Sequence, residues 1–518
     1  MVVLGAAALV LAALPWLPSG PDIYVHAAWA HQSMRCLGAG SPPLWLPDMN
    51  AGCGSPGIRL YSPAGPFLAG LLGLVAGDAL AGLRVLLVSA FVLLAILLRR
   101  GGVESWPMGL ALTVLATPVL ADLFTRSAIS ELLALPVAWW LLDRAVSREH
   151  PDPALPMATL ALAALWLLHA PTTVLVVLLL GAAAPCRSWR STRLWVRAGL
   201  AASALTAWHW LPMLREMAMV GGAGALKGGI FAAGSNLLGS PSAHAPALNT
   251  ALSAAAVALL LVVLVEGWQR TDPLRAALVT LTVGLASPLA APLWAEGSPL
   301  AWLQFPWRWL VPATLLAIRP LAERTPVSNP RSWILGAIWL APLLLLPVPP
   351  VVRAPVLGPG DGWRVAGERL HTALGSNPLL VDATQNRPPW YGDAMRELPL
   401  LGGALAVAPA TGAILEIREW SPLERSIGAT APRPGPLLLR LLDYPWWQVT
   451  VDGRPAAAAR NRGLIRVLLP AGAHTIRVRW TGNPLSRLGL ALALAGILAL
   501  LAPRWRSTHR RRPDTMEP

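Results

Sequence analysis

The stretch of chain best equipped for chemistry lies between Pro21 and Pro66. It reads PDIYVHAAWAHQSMRCLGAGSPPLWLPDMNAGCGSPGIRLYSPAGP and holds Asp22, Asp48, His26, His31 and two of the three cysteines. On a helix Asp22 and His26 stand one turn apart and share a face. A carboxylate so placed could take a proton from a hydroxyl as general base, with His26 steadying it or meeting substrate. The plainer alternative is an acidic residue favoured at a helix N-terminus. Asp48 is the second candidate carboxylate, although its Pro/Gly surroundings also suit ordinary turn chemistry. Farther along, Arg126 and Glu131 flank a turn between apolar runs, His169 precedes Pro171, and Arg308 sits between Trp307 and Trp309. Charges at this depth face a cavity or one another. A planar guanidinium at Arg126 or Arg308 could bind a phosphate through paired hydrogen bonds. The alternatives are a structural Arg126–Glu131 bridge, a helix-end role for His169 and a snorkelling anchor at Arg308.

These residues need elements to hold them. On a helix, Asp22, His26, Trp29 and Ser33 fall on one face and Ile23, Ala27, Ala30, Met34 and Leu37 on the other. Beside an apolar run, such a helix is expected to lie in the membrane interface. The Pro/Gly-rich loop after it is expected to fold back over it. Hydrophobic residues make up 55% of 518 and charged residues only 13%, against roughly 25% charged in soluble domains. That contrast points to a polytopic membrane protein. The net charge of +15 comes almost wholly from arginine, since Lys227 is the only lysine. The arginines recur in short clusters between apolar runs and do not gather on one face, which argues against nucleic acid. The cysteines show no metal-ligand spacing and no disulfide framework. Cys36 and Cys53 share one loop, so an oxidising compartment would permit a bridge there; two buried thiols are the alternative.

Apolar runs long enough to approach a ~30 Å hydrocarbon core number about twelve. The first is 2–18, read as a span and not a signal peptide because it lacks a basic flank. Alternate connections carry Arg99 and Arg100, Arg144 and Arg148, Arg187 to Arg197, Arg270 and Arg275, and Arg319 to Arg331, with Arg504 to Arg512 in the tail. By the positive-inside rule these are cytoplasmic, with both termini inside. Three long segments then face outward: 19–79, the Gly/Ala-rich 214–249, and 351–484. The expected organisation is an all-α transmembrane domain over 1–350, a β-sandwich-like extracytoplasmic domain over 351–484, and a last span with a basic tail over 485–518. Within the second, Trp363–Leu374 reads as a helix. Ala413–Glu419, Pro436–Leu442, Trp447–Val451, Leu464–Leu469 and His474–Trp480 read as strands, with a turn at Asp452-Gly453. Of the tandem Trp446-Trp447, alternation sends one ring inward and the other outward. Trp45, Trp390, Trp446 and Trp447 are candidates to stack on sugar rings.

Several segments resemble one family. They are Asp22-Ile-Tyr-Val-His26, PPLWLPDMNAGCGSP over 42–56, Tyr61-Ser-Pro63, Arg126-Ser-Ala-Ile-Ser-Glu131, Leu168-His169-Ala-Pro-Thr-Thr173 and Gln304-Phe-Pro-Trp-Arg308. LLRLLDYPWWQVTVDGRP (438–455) and LPAGAHTIRVRW (469–480) follow in the same order. Together they resemble the bacterial membrane proteins labelled 6-pyruvoyl-tetrahydropterin-synthase-related and the neighbouring YfhO-like proteins, which look like members of the GT-C class of glycosyltransferases. The chain departs from that pattern at Cys53, where an aromatic residue is expected, and at Trp446-Trp447, where a Gly-Trp pair is usual. The resemblance implies a bacterial inner-membrane enzyme that moves a sugar from a polyprenyl-phosphate carrier to a glycan or lipid acceptor on the outer face. It places the acidic catalytic residue of the first outer loop at Asp22 and leaves the need for a divalent cation open. The rival expectation is a non-enzymatic membrane protein that handles lipid-linked glycans or supports envelope assembly.

Overall fold

The computed structural model describes residues 16–18, 20–147, 150–220, 232–241, 243–265, 272–295, 298–324, 330–347, 351–374, 379, 387–388, 390–456 and 463–508. The chain is mostly helical, with a sheet region near its C-terminus. Among the described residues, three helices are long and apolar enough to cross a membrane: Ala79–Arg100, Ala170–Arg187 and Pro246–Val265. Two bent pairs raise that to five at most, well short of the expected twelve or so.

Proline is the main cause. The run at 107–122 divides into Trp106–Val114 and Thr117–Arg126, bent by 54° ahead of Pro118. The run at 332–350 breaks at Pro342. A proline lacks the N–H that would continue the ladder and clashes with the preceding turn. The first expected span, 2–18, lies outside the described residues except for Trp16–Pro18, which is a strand (β1) paired antiparallel with Val351–Arg353 (β2). Lys227 and most of the middle of 214–249 also lie outside the described residues.

The helix after β1, Asp22–Gly38, forms where its pattern predicts but is not interfacial. Ile23, Ala27 and Met34 on its apolar side are buried, and so are His26, Trp29, His31, Gln32 and Ser33 on the polar side. Helices Ala64–Ala76 and Ala79–Arg100 pack against it, and Gly70 lets Ala64–Ala76 approach so closely that a Cβ there would sit 2.7 Å from the Met34 nitrogen. The C-terminal segment covers the other side, with Leu357, Ala366 and Leu370 in the same core.

The sheet region holds five antiparallel strands in the order β4 (Ile414–Trp420), β5 (Glu424–Ala431), β10 (Gly472–Trp480), β7 (Trp447–Val451), β8 (Arg454–Pro455). A second sheet runs β3 (Ala406–Val407), β6 (Gly435–Leu442), β9 (Leu464–Leu469). Alternation on β10 turns Ile476, Val478 and Trp480 inward and leaves Arg477 and Arg479 exposed. The β7–β8 turn needs positive φ at both central residues, and Asp452 (49°) and Gly453 (78°) supply it. Asp452 then accepts hydrogen bonds from Thr475 N (2.8 Å) and pairs with His474 Nδ1 (2.7 Å).

Two expectations fail at this sheet. Trp446 and Trp447 are both buried, because Arg215 covers Trp446 while Trp447 enters an aromatic core with Trp45 and Trp480. Trp45, also buried, is therefore packing and offers no face to a sugar; Trp390, half-buried, donates to the Asp443 carbonyl (2.7 Å). The first loop is woven into this unit. Leu442 N donates to the Cys53 carbonyl (2.8 Å), Arg440 Nη1 to that of Ala51 (2.9 Å), and Ala51 N to that of Leu379 (2.8 Å). Cys36 and Cys53 are buried free thiols, so no bridge joins them.

Candidate functional site

Arg126 is the centre of the arrangement. It ends a π-helical turn, Ala121–Arg126, closed by Ala128 N donating to the Asp122 carbonyl (2.7 Å). Ser127 follows in the left-handed region at φ 58°. Such departures inside helical segments recur at functional sites, where surrounding contacts hold a strained backbone. Here the hold comes from Gly20, whose N–H donates to Ser127 Oγ (2.9 Å). A Cβ on Gly20 would lie 2.5 Å from the Arg126 carbonyl carbon, so only glycine permits this approach.

The guanidinium bonds to three carboxylates. Nη1 donates to Asp122 Oδ1 (2.8 Å) and Glu131 Oε2 (3.0 Å), and Nη2 donates to Asp22 Oδ2 (3.0 Å). Glu131 Oε2 is also 3.5 Å from Arg308 Nε, while Arg308 Nη1 donates to the Leu303 carbonyl (2.8 Å). Phe305 lies between the two arginines, its ring centre 5.1 Å from the Arg126 guanidinium and 4.9 Å from that of Arg308. A γ-turn places it there: Gln304 has φ 65° and ψ −57°, and Phe305 N donates to the Leu303 carbonyl (2.7 Å).

Burial grades this cluster. Asp122 and Glu131 have about 1% of their side chains exposed and Arg308 about 5%, whereas Asp22 keeps 39%. One oxygen of Glu131 and one of Asp122 have no hydrogen-bond partner. With every group ionised, three carboxylates face two guanidiniums, leaving one negative charge in excess.

The expected residues divide between this cluster and other places. Asp22, Arg126, Glu131 and Arg308 meet directly. His26 is buried one turn beyond Asp22, and His169 is within electrostatic reach of Glu131 and Arg308. His169 also caps helix Ala170–Arg187, accepting from Thr172 N and sharing a hydrogen bond with Thr172 Oγ1 (2.7 Å). Asp48 stands apart. It accepts from Gln32 Nε2 (2.9 Å), its N–H donates to Gln32 Oε1 (2.9 Å), and Arg35 lies 3.0 Å away. Gln32 is ten residues along the helix from Asp22, about 15 Å at 1.5 Å per residue. Asp48 therefore fastens the loop to the helix.

Asp122 and Phe305 were not singled out from sequence. Asp122 could have been, since it precedes Arg126 by four residues, the spacing of an ion pair across one turn. Among the described residues no group of three His, Cys, Asp or Glu side chains is disposed to hold a metal ion. A second buried cluster, Asp143 with Arg319 Nε (2.8 Å) and Arg275 Nη2 (3.5 Å), lies twelve residues along the same helix from Glu131, about 18 Å away. Comparison with known proteins finds no family model, no curated protein and no solved structure that matches this chain.

Proposed function

We propose that the chain is an integral membrane glycosyltransferase of the GT-C kind, taking a sugar from a polyprenyl-phosphate carrier and passing it to an acceptor hydroxyl at the outer face. The observation that carries this reading is the direct convergence of Asp22, the Arg126–Glu131 pair and Arg308 from three distant parts of the sequence. Asp22, the one partly exposed member, is where an acceptor could reach the group. The acceptor oxygen attacks the anomeric carbon, the bond from that carbon to phosphate oxygen breaks, and the phosphate leaves with the electron pair. Asp22 receives the hydroxyl proton, help typically worth ~10²–10⁴-fold. An incoming phosphate competes with Asp22 for Arg126 Nη2 and so frees the carboxylate as it docks. Arg308, held behind Glu131, adds fixed positive charge toward the leaving group. No step is assigned to a divalent cation, since among the described residues no group of three His, Cys, Asp or Glu side chains is disposed to hold one.

The chain sits in a bacterial inner membrane in this reading, with its arginine-rich connections and both termini cytoplasmic and residues 351–484 outside. Single-cysteine labelling at Gly453 in intact cells tests that orientation; labelling only after lysis would reverse it.

A second reading is favoured by the three carboxylates already bonded to Arg126. A guanidinium already bonded to three carboxylates can be a structural tie, as the Asp143 cluster suggests, in a protein that handles lipid-linked glycans without turnover. The deciding experiment is turnover by the purified full chain with a panel of polyprenyl-phosphate sugars. Turnover lost in Asp22→Asn at normal stability supports the enzyme. No turnover with any donor, alongside retained binding of the carrier, supports the second reading.

A further inference from the structure

A groove of about 620 Å³ runs between helices Leu155–Leu168, Ala170–Arg187, Trp189–Leu205 and Ala207–Met217. Val177, Leu180, Trp195, Val196, Leu200 and Leu214 line it. Its threonines offer no free polar group: Thr173, Thr192 and Thr206 each bond back to their own helix. The groove reaches from Thr173 to Ala184 on one helix and from Thr192 to Thr206 on the next, roughly 17 Å and 21 Å of rise. That is little more than half of a ~30 Å hydrocarbon core, the depth of one leaflet.

Beside the groove, helix Trp189–Leu205 carries a cationic face. Arg190, Arg193 and Arg197 are exposed and lie within a sector of about 60° on helix Trp189–Leu205. That sector borders Val196 and Leu200, which are 56% and 69% exposed. Among the described residues none of the three arginines has an ion-pair partner. Trp189, 73% exposed, opens the same helix at the hairpin tip, where an indole suits the headgroup level. The opposite end closes on Trp166, whose Nε1 donates to His209 Nδ1 (3.2 Å).

We propose that this groove holds the acyl chains of one anionic phospholipid from the membrane, with its phosphate at Arg190, Arg193 and Arg197. Charge complementarity chooses an anionic headgroup over a zwitterionic one, and the groove's depth chooses a lipid of a single leaflet. The carrier of the transfer reaction is the competing occupant. Its phosphate belongs at the Asp22 cluster, next to the other end of helix Ala170–Arg187, so it would gain nothing from these arginines. The choice of a phospholipid over the carrier rests on the glycosyl-transfer reading, whereas the groove and its arginines do not.

The test is native mass spectrometry of the full chain in detergent micelles with added phosphatidylglycerol, phosphatidylethanolamine or polyprenyl phosphate. Wild type is expected to retain phosphatidylglycerol in preference to phosphatidylethanolamine. Arg190→Gln/Arg193→Gln/Arg197→Gln is expected to erase that preference, a loss of up to roughly 10²-fold in retention. Gly181→Leu/Gly199→Leu is expected to lower retention of both phospholipids. A Cβ at either glycine meets no atom within 4 Å, so the new side chains fill the groove without displacing backbone. Equal retention of the two phospholipids by wild type overturns the proposal, as does an unchanged preference in the triple arginine variant. Displacement of polyprenyl phosphate alone by the groove-filling pair also overturns it, and assigns the groove to the carrier.

Discussion

Removing Arg126 strands buried charge, and the structure says how much of that loss can be recovered. In Arg126→Gln, Asp122 and Glu131 stay about 1% exposed, with only Arg308 left to face them. Breaking a buried ion pair from one side typically costs ~3–5 kcal/mol. The contact to Asp22 adds little, since a carboxylate 39% exposed is screened by solvent and such pairs contribute ~0–1 kcal/mol. The expected loss is therefore about 3–5 kcal/mol. Adding Asp122→Asn removes a carboxylate with one oxygen already unpartnered, and is expected to restore ~1–3 kcal/mol. Asp122→Asn alone is expected to be near neutral, because it also balances the charge of the cluster. The assay is thermal unfolding of the full chain in detergent micelles, read by tryptophan fluorescence at one fixed scan rate because the midpoint of an irreversible transition depends on that rate. A double variant no more stable than Arg126→Gln would refute the charge reasoning. So would an Arg126→Gln protein that melts with wild type.

Asp22→Asn keeps a hydrogen-bond partner for Arg126 and is expected to cost under about 1 kcal/mol while abolishing turnover; equal losses of stability and activity would make Asp22 structural. Gly20→Ala places a Cβ 2.5 Å from the Arg126 carbonyl carbon, and is expected to destabilise the fold by ~1–3 kcal/mol in the same melting assay. Burial pushes the Cys36 and Cys53 thiols up to about 12. Both are expected to resist N-ethylmaleimide in the folded protein while exposed Cys186 reacts, which peptide mass spectrometry would read out. The hydrogen bond between them raises the His474 pKa and lowers that of Asp452. The His474 contribution to stability is complete below the ordinary histidine range and fades as pH rises through its raised value. The Asp452 contribution is complete above the ordinary carboxylate range and fades as pH falls through its lowered value. The stability difference between wild type and His474→Gln is therefore expected to peak between the two and shrink on both sides; a difference that grows above the raised histidine value would contradict the pairing.

Local signals carried some of this architecture and missed the rest. Strands β7 and β9 and helix Trp363–Leu374 fall at their expected boundaries, because period-2 alternation and the Asp452-Gly453 turn are short-range properties. Strand β5 escaped notice although it lies between β4 and β10. Its sequence, ERSIGATA, holds only Ile427 and Thr430 of the strand-favoured types among small and charged residues, and its neighbours supply the burial. Helix Asp22–Gly38 was legible as a helix, yet not as a buried one, since part of its cover comes from residues more than three hundred positions away. Arg126 and Glu131 were legible as a pair by their spacing. Asp22 and Arg308 join them only through the turns at Ser127 and Gln304, which no residue type announces.

The pairing of β1 with β2 carries a timing consequence. Trp16 and Arg353 are neighbours in space, yet more than three hundred residues must be translated between them. At ~5–20 residues per second, the strand before Asp22 waits from about a quarter of a minute to over a minute for its partner. The first loop waits longer still, because Arg440 and Leu442 hold its backbone at Ala51 and Cys53. During that interval helix Asp22–Gly38 lacks the cover that Leu357 and Leu370 later give it, so nascent chains are vulnerable there to proteases and to wrong partners. Truncation before residue 440 should leave this loop open to proteolysis although the apolar helices that follow it are already made.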